Sequence, residues 1–267
     1  VAFINGAVRL SEQEMWVKLL REKCPTVVAF GSCAHLGGIP GLANDFTAEE
    51  ILANKYFNSA TVDNPDKVLP QEHCTVDGYE VELPHFFKDV KSLDQVIDVD
   101  YYLPGCAPPP NLIMDAVTAI LEGNLPPKGS VLAPEKSLCE SCPLNDTKPD
   151  QISIKEFKRI ATSVPDPEQC LLAQGYVCMG PATRSGCGER CVRANMPCRG
   201  CFGPTPGALD QGTKMLSSMG SLGEGETEER AQELAMSASD LVGTLYRFSL
   251  PVSLLRRSVH EKEMAQS

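Results

Sequence analysis

The first 125 residues alternate short apolar runs with amphipathic stretches. Val1-Ala-Phe-Ile4 reads as a buried strand. Ser11-Glu-Gln-Glu14 has the capping-box pattern and is expected to open a helix that buries Trp16, Leu19 and Leu20 and stops at Pro25. Thr26-Val-Val-Ala-Phe30 is β-branched and apolar, the mark of a buried strand. Thr47-Ala-Glu-Glu50 repeats the capping box ahead of Ile51, Leu52 and Tyr56. Residues 60–85 are rich in Pro, Asp and Asn and read as loop. A further strand is expected over Asp98–Leu103, closed by Pro104. From Asn111 a helix follows, with Ile113, Val117, Ile120 and Leu121 on one face and Gly123 as its stop. Strands alternating with helices predict an α/β fold with a parallel sheet covered on both faces.

Pro126-Pro127-Lys128-Gly129 divides the chain into 1–127 and 128–267. The second part is irregular until a helix expected over roughly Thr227–Leu245, where Leu234, Leu241 and Leu245 recur at helical spacing. Glu224–Arg230 reads as its acidic, solvated cap region. Arg247-Phe-Ser-Leu-Pro251 leads to Leu254-Leu-Arg-Arg257, a segment suited either to lie along a partner subunit or to pack within the chain. The chain opens inside a strand without an initiator Met, which creates the expectation that further sequence precedes Val1.

Composition narrows the function. With 267 residues and 42% hydrophobic content the chain can bury a sizeable core. A net charge of −11 gives no basic stripe for nucleic acid, and 6% aromatics give few stacking platforms. No signal-like segment opens the chain and no run of about 18 apolar residues suggests a membrane span.

Eight of the twelve cysteines fall between Cys139 and Cys201: Cys139, Cys142, Cys170, Cys178, Cys187, Cys191, Cys198 and Cys201. Eight thiolates are two full ligand sets for cubane iron–sulfur clusters. Structural zinc usually takes cysteines as close pairs. Three such pairs exist here, but Cys170 and Cys178 stand too far apart for a fourth. Disulfides typify small secreted domains that lack a core. Spacing therefore favours iron–sulfur over zinc, and zinc over disulfides, without eliminating either. Cys33 and Cys106 each follow a predicted strand, within Gly31-Ser-Cys-Ala-His-Leu-Gly-Gly38 and Pro104-Gly-Cys-Ala-Pro-Pro109. Ligand sites of open α/β sheets lie at such strand ends. These two cysteines could supply half of a third cluster, or be buried free thiols. Cys24 and Cys74 stay outside the scheme, and His35 is the only histidine near a candidate ligand loop.

Gly-Ser-Cys-Ala-x-x-Gly-Gly-Ile-Pro-Gly at 31–41, Leu-Pro-Gly-Cys-x-Pro-x-Pro at 103–110 and the whole cysteine block resemble the small subunit of [NiFe] hydrogenases. The segments 175–188 and 196–203 are similar to the cytoplasmic, methyl-viologen-reducing branch. The resemblance spans residue 2 to about Arg257 and implies a flavodoxin-like parallel-sheet domain over 1–127, followed by an irregular, mostly helical iron–sulfur domain over 128–267. It assigns Cys33 and Cys106 to a proximal [4Fe–4S] cluster, Cys139, Cys142, Cys170 and Cys178 to a distal one, and Cys187, Cys191, Cys198 and Cys201 to a medial one. Three clusters are thus implied, two of them fully ligated by these residues. The family's N-terminal C-x-x-C, which completes the proximal set, has no counterpart in this sequence; the expectation is that it lies before Val1. Relatives commonly place a histidine where Cys139 stands and often lack the cysteine at Cys191, so this chain fits the cytoplasmic branch with a four-iron medial cluster. The family's Val-Glu-Gly-Gly-like stretch reads Ile4-Asn5-Gly6-Ala7, where Asn5 cannot pass protons as a carboxylate would and is expected to help turn the strand into its loop.

The resemblance further implies electron transfer, with no acid–base catalytic residue in this chain. A large subunit would hold the nickel–iron centre, and a further redox subunit would exchange electrons with nicotinamide, ferredoxin or a flavin-based bifurcating module. Two other readings stand beside it: a single-cluster, quinone-reductase-like subunit of a respiratory complex, and a non-redox zinc scaffold.

Overall fold

The computed structural model of the protein describes residues 1–225 and 227–255. Four parallel strands form its central sheet, in the order β1 (Ala2–Asn5), β3 (Val27–Phe30), β7 (Tyr101–Leu103) and β8 (Ser130–Val131). Asn5 lies opposite Phe30 and Phe30 opposite Leu103, so three strands end level at one edge of the sheet. The last strand comes after the Pro126–Gly129 segment, so the sheet draws on the cysteine-rich half of the chain.

Alternation along β3 sorts its side chains between two cores. Val27 and Ala29 pack with Ile4, Val17 and Leu93 on one face, beneath α1 (Ser11–Lys23). Val28 packs with Leu103, Leu112 and Ala116 on the other, beneath α4 (Pro110–Glu122). Val27, Val28 and Leu103 are fully buried, each worth about 1.5–3 kcal/mol of apolar burial. The α/β sandwich expected from the alternation of elements is the fold observed.

Several local expectations shift. Gln13, not Glu14, closes the box at α1, accepting from the backbone N–H groups of Arg9 and Leu10 at 2.8 and 3.0 Å. The Ser11 hydroxyl instead accepts from the His85 N–H, beside the antiparallel pair of β2 (Val8–Leu10) and β6 (Phe86–Lys91). The buried stripe of α1 runs through Val17, Leu20 and Cys24, which leaves Trp16 51% and Leu19 39% exposed. On α4 the stripe is Leu112 and Ala116 flanked by Ile113 and Ile120, and Leu121 points outward. Among the described strands β1 pairs with β3 alone; Ile4 is buried, and Val1 and Phe3 are exposed. Thr47 does cap α3 (Ala48–Tyr56) in a complete box with Glu50.

Residues 60–85 are not all loop. β4 (His73–Val76) and β5 (Tyr79–Glu82) form a hairpin across Asp77-Gly78, both at positive φ. That pair of dihedrals is the turn that Asp-Gly favours between strands.

In the second half, α5 (Leu138–Ser141), α6 (Arg190–Arg193), α7 (Gln211–Leu222), α8 (Glu228–Ser237) and α9 (Leu241–Leu245) are joined by irregular backbone. The helix expected over 227–245 is broken at Asp240, whose carboxylate caps the Gly243 N–H at 2.9 Å and starts α9. Phe248 and Pro251 are buried within the chain: the Phe248 carbonyl accepts from Gly38 N–H and the Pro251 carbonyl from Gln95. Intrachain packing thus accounts for 247–251, while Arg256, Arg257 and His260 lie outside the described residues.

Candidate functional site

Cys33 lies in the first turns of α2 (Gly31–Leu36), which continues directly from β3, and Cys106 lies in the loop after β7. Because β3 and β7 end level, the two loops start side by side. Ser32 ties them together, taking the Gly105 carbonyl with its N–H at 2.8 Å. Its hydroxyl donates to the Cys201 carbonyl at 2.6 Å, joining this edge of the sheet to the cysteine-rich half. Asn5 donates to the Phe30 carbonyl at 3.2 Å and so ties the end of β1 to the end of β3.

Eight cysteines gather around two neighbouring cavities. Cys139, Cys142, Cys170 and Cys178 line a narrow one walled by Leu138, Leu144, Leu171 and Leu172. Cys187, Cys191, Cys198 and Cys201 line a second, of about 250 Å³, and Cys106 reaches its rim. Cys33 faces Cys106 but does not reach that cavity. Cys24 closes the end of α1 and Cys74 sits on the β4–β5 hairpin, both away from these cavities.

Backbone amides are aimed at the sulfurs. Cys198 N–H donates to the Cys178 sulfur at 3.3 Å, and Gly180 N–H donates to the same atom. Gly200 serves Cys198, Glu189 and Arg190 serve Cys187, and Cys106 serves Cys201. Glycine permits this approach: a Cβ on Gly180 would stand 3.1 Å from the Cys139 sulfur. At Gly38, with φ of +61°, a Cβ would meet the Cys33 sulfur at 2.5 Å.

Burial acts on the thiols in the opposite sense. It pushes Cys178 and Cys201 up to about 12, and Cys198 well above the ordinary thiol range. Without a cation these groups stay protonated at neutral pH, although the amides around them favour the thiolate. Donors trained on buried sulfurs suit a cofactor whose metal ions displace those protons. Among the described residues, no three His, Cys, Asp or Glu side chains converge tightly enough for a single metal ion. Cysteine sets that encircle a cavity, rather than meeting at a point, fit a multi-iron cluster better than zinc, which draws its ligands to about 2.3 Å.

Polar residues that carry no sequence signal of their own complete the cradle. Lys148 lines the first cavity and donates toward the Cys139 sulfur while also donating to Asn145 at 2.7 Å. Gln211 is buried at the start of α7, and its amide nitrogen reaches the carbonyls of Gly200 and Gly203 at 3.1 and 3.2 Å. It thereby fixes the loop that carries Cys198 and Cys201. His35 makes no bond to a cysteine: it stacks on Tyr102 at 4.6 Å with Nδ1 buried and unpartnered. Burial and the nearby Arg184 lower its pKa to about 4, so it is neutral at pH 7.

The family described as NADH ubiquinone oxidoreductase, 20 Kd subunit, matches residues 1–120 and stops short of the cysteine block. Over 261 residues the chain is 41% identical to an iron–sulfur subunit of the F420-non-reducing hydrogenase of Archaeoglobus profundus, covering 97% of this chain and 81% of that one. The chain belongs to this family of F420-non-reducing hydrogenase subunits, a branch of the [NiFe] hydrogenase small subunits. A second member, from Methanothermobacter thermautotrophicus, is 37% identical over 265 residues, covering 98% of this chain and 81% of its own length. Among solved structures, an NAD+-reducing [NiFe]-hydrogenase in the H2-reduced state is similar over 46% of this chain and 64% of that one, at 29% identity and a TM-score of 0.41. Like its relatives in the family, the chain is a component of a hydrogenase, an oxidoreductase complex. Among the described residues no helix is long and apolar enough to cross a membrane.

Proposed function

We propose that this chain is the iron–sulfur electron-transfer subunit of a [NiFe] hydrogenase. Cys139, Cys142, Cys170 and Cys178 would hold a distal [4Fe–4S] cluster, and Cys187, Cys191, Cys198 and Cys201 a medial one. Cys33 and Cys106 would give two ligands of a proximal cluster. The observation that carries this reading is the division of eight cysteines between two adjoining cavities with amides directed at their sulfurs. A bound cluster would supply reversible one-electron chemistry. The chain's own residues hold the sulfurs, exclude water through Leu138, Leu171 and Leu172, and fix the separation between the two sets. Electrons would pass between the nickel–iron site of a large subunit and a further redox subunit, using nicotinamide, ferredoxin or a flavin-based bifurcating module, in the cytoplasm.

The match of residues 1–120 to the 20 Kd subunit family favours, for that part alone, a quinone-reductase-like reading with a single cluster. Iron, acid-labile sulfide and zinc per copy of this chain in the anaerobically purified complex separate the readings. Two clusters give about 8 iron and three give about 12, whereas one gives about 4. Iron at about 4 would favour the single-cluster reading, and zinc without iron would end both redox readings.

A further inference from the structure

A cavity of about 130 Å³ is lined by Pro197 and Arg199, the neighbours of Cys198 in the chain, and shares no lining residue with the cavity of Cys139 and Cys142. Three arginines line it from three separate segments: Arg159, Arg199 and Arg247, with Lys158 beside them. In a chain of net charge −11 this is a concentrated patch of positive charge. Among the described residues none of these arginines makes an ion pair. The Arg247 Nε is buried and has no acceptor. One carboxylate, Asp240, shares the cavity, but its Oδ1 is engaged in capping the Gly243 N–H.

This arrangement is unfavourable as it stands. A buried donor without an acceptor is costly, and like charges brought together under partial burial add to that. The walls are nonetheless firmly held. Lys158 N–H bonds the Gly175 carbonyl, Phe157 N–H bonds the Ser237 hydroxyl, and Gln211 pins the carbonyl of Gly200 next to Arg199. A rigid wall bearing three guanidinium groups with no ion-pair partner among the described residues is the arrangement that receives an oxyanion, since arginine's planar fork matches phosphate oxygens in pairs.

We propose that this cavity is an anion site that takes a single phosphate group, held by Arg159, Arg199 and Arg247. The volume admits one small oxyanion with attendant water. The phosphate could be the free ion or the terminal group of a nucleotide whose remainder stays outside. Arg199 also lines the cavity of Cys187, Cys191, Cys198 and Cys201, whereas Arg159 and Arg247 do not.

Calorimetric titration of the anaerobically purified complex with inorganic phosphate, at constant ionic strength, tests the proposal. Saturable binding is expected, with sulfate competing. Arg159 is exposed, so Arg159→Gln leaves the fold intact. It is expected to weaken binding by about tenfold or more, as loss of a charge-assisted contact should. Arg247→Gln should act in the same direction. Competition by adenosine monophosphate would identify a phosphate ester as the bound form, and its failure to compete would identify the free ion. Absence of saturable binding, or binding that Arg159→Gln leaves unchanged, overturns the proposal.

Discussion

The backbone N–H of Cys198 donates to the sulfur of Cys178 at 3.3 Å, so a residue of one cysteine set is hydrogen-bonded to a sulfur of the other. The Met179 N–H returns the contact, donating to the Cys198 carbonyl at 3.0 Å. The two cavities are therefore tied together by one backbone-to-backbone bond and one backbone-to-sulfur bond. Ser32 makes the corresponding link on the other side, from the loop of Cys33 to the Cys201 carbonyl. A continuous bonded path runs from the end of the sheet through both cysteine sets.

This shared contact separates two substitutions within one set. Cys178→Ala removes the acceptor of the Cys198 N–H, whereas Cys142→Ala removes a sulfur that receives its amide from Leu144. Both are expected to lower the iron content by up to about 4 per chain. Cys178→Ala should also alter the electron paramagnetic resonance signal of the neighbouring set, and Cys142→Ala should leave it as in the parent. Identical spectra for the two variants would show that the bond transmits nothing.

Lys148 carries a positive charge to the Cys139 sulfur, where burial raises the thiol's pKa and Lys148 pulls it down. A cation beside a redox site favours its more reduced, more negative form. Lys148→Met is expected to lower the midpoint potential of the site at Cys139 by about 65–130 mV, the one-electron equivalent of one charge-assisted hydrogen bond of about 1.5–3 kcal/mol. A spectroscopic redox titration reads it directly. An unchanged midpoint would exclude Lys148 from tuning this site.

Asp100 anchors the sheet through Arg21 at 2.7 Å, Lys128 at 2.6 Å and the Val27 N–H at 2.8 Å. Burial alone would raise its pKa, but the bonds from Lys128, Arg21 and Val27 outweigh that and hold it at about 2. A folded-state value below the unfolded one contributes stability above the unfolded pKa, near 3.8, and loses it as pH falls toward about 2. The contribution at pH 7 is about 2 kcal/mol. Asp100→Asn should therefore unfold at lower urea than the parent at pH 7, and the gap should close as pH falls from about 4 to about 2. A gap independent of pH would place the effect in packing rather than charge.

How far the sequence foretells this structure depends on whether the signal is local. Thr47 and Glu50 announce a helix start because both halves of the box lie within four residues. Asp77-Gly78 announces a hairpin just as locally, but the polar surroundings of 60–85 mask it. Trp16 escapes the expected burial because its place depends on which face of α1 meets the sheet, a choice made by Val17, Leu20 and Cys24 together. The cysteines declare themselves as a class through their number and spacing. Their supporting residues do not: Lys148, Gln211 and Ser32 reach the cysteine loops only through tertiary contacts, Ser32 across 169 residues of chain.

Gly38 offers the sharpest test of the loop at the end of β3. It adopts φ of +61°, where a side chain is strained, and a Cβ there would approach the Cys33 sulfur to 2.5 Å and its Cα to 2.8 Å. The loop cannot easily yield, because the Gly38 N–H is tied to the Phe248 carbonyl at 3.1 Å and the Ser32 N–H to the Gly105 carbonyl. Gly38→Ala must therefore displace Cys33 or break one of those bonds. The fold as a whole should survive, since neither sheet core includes Gly38. The expected result is a complex that assembles and keeps the iron held by the eight cysteines of residues 139–201. It should lose iron associated with Cys33, and with it rapid reduction of the remaining sites by H2. Reduction by dithionite should stay normal, because that reagent bypasses the loop. If H2 reduced the variant as fast as the parent, Cys33 would stand outside the electron path, and the assignment of this strand end to the route would have to be withdrawn.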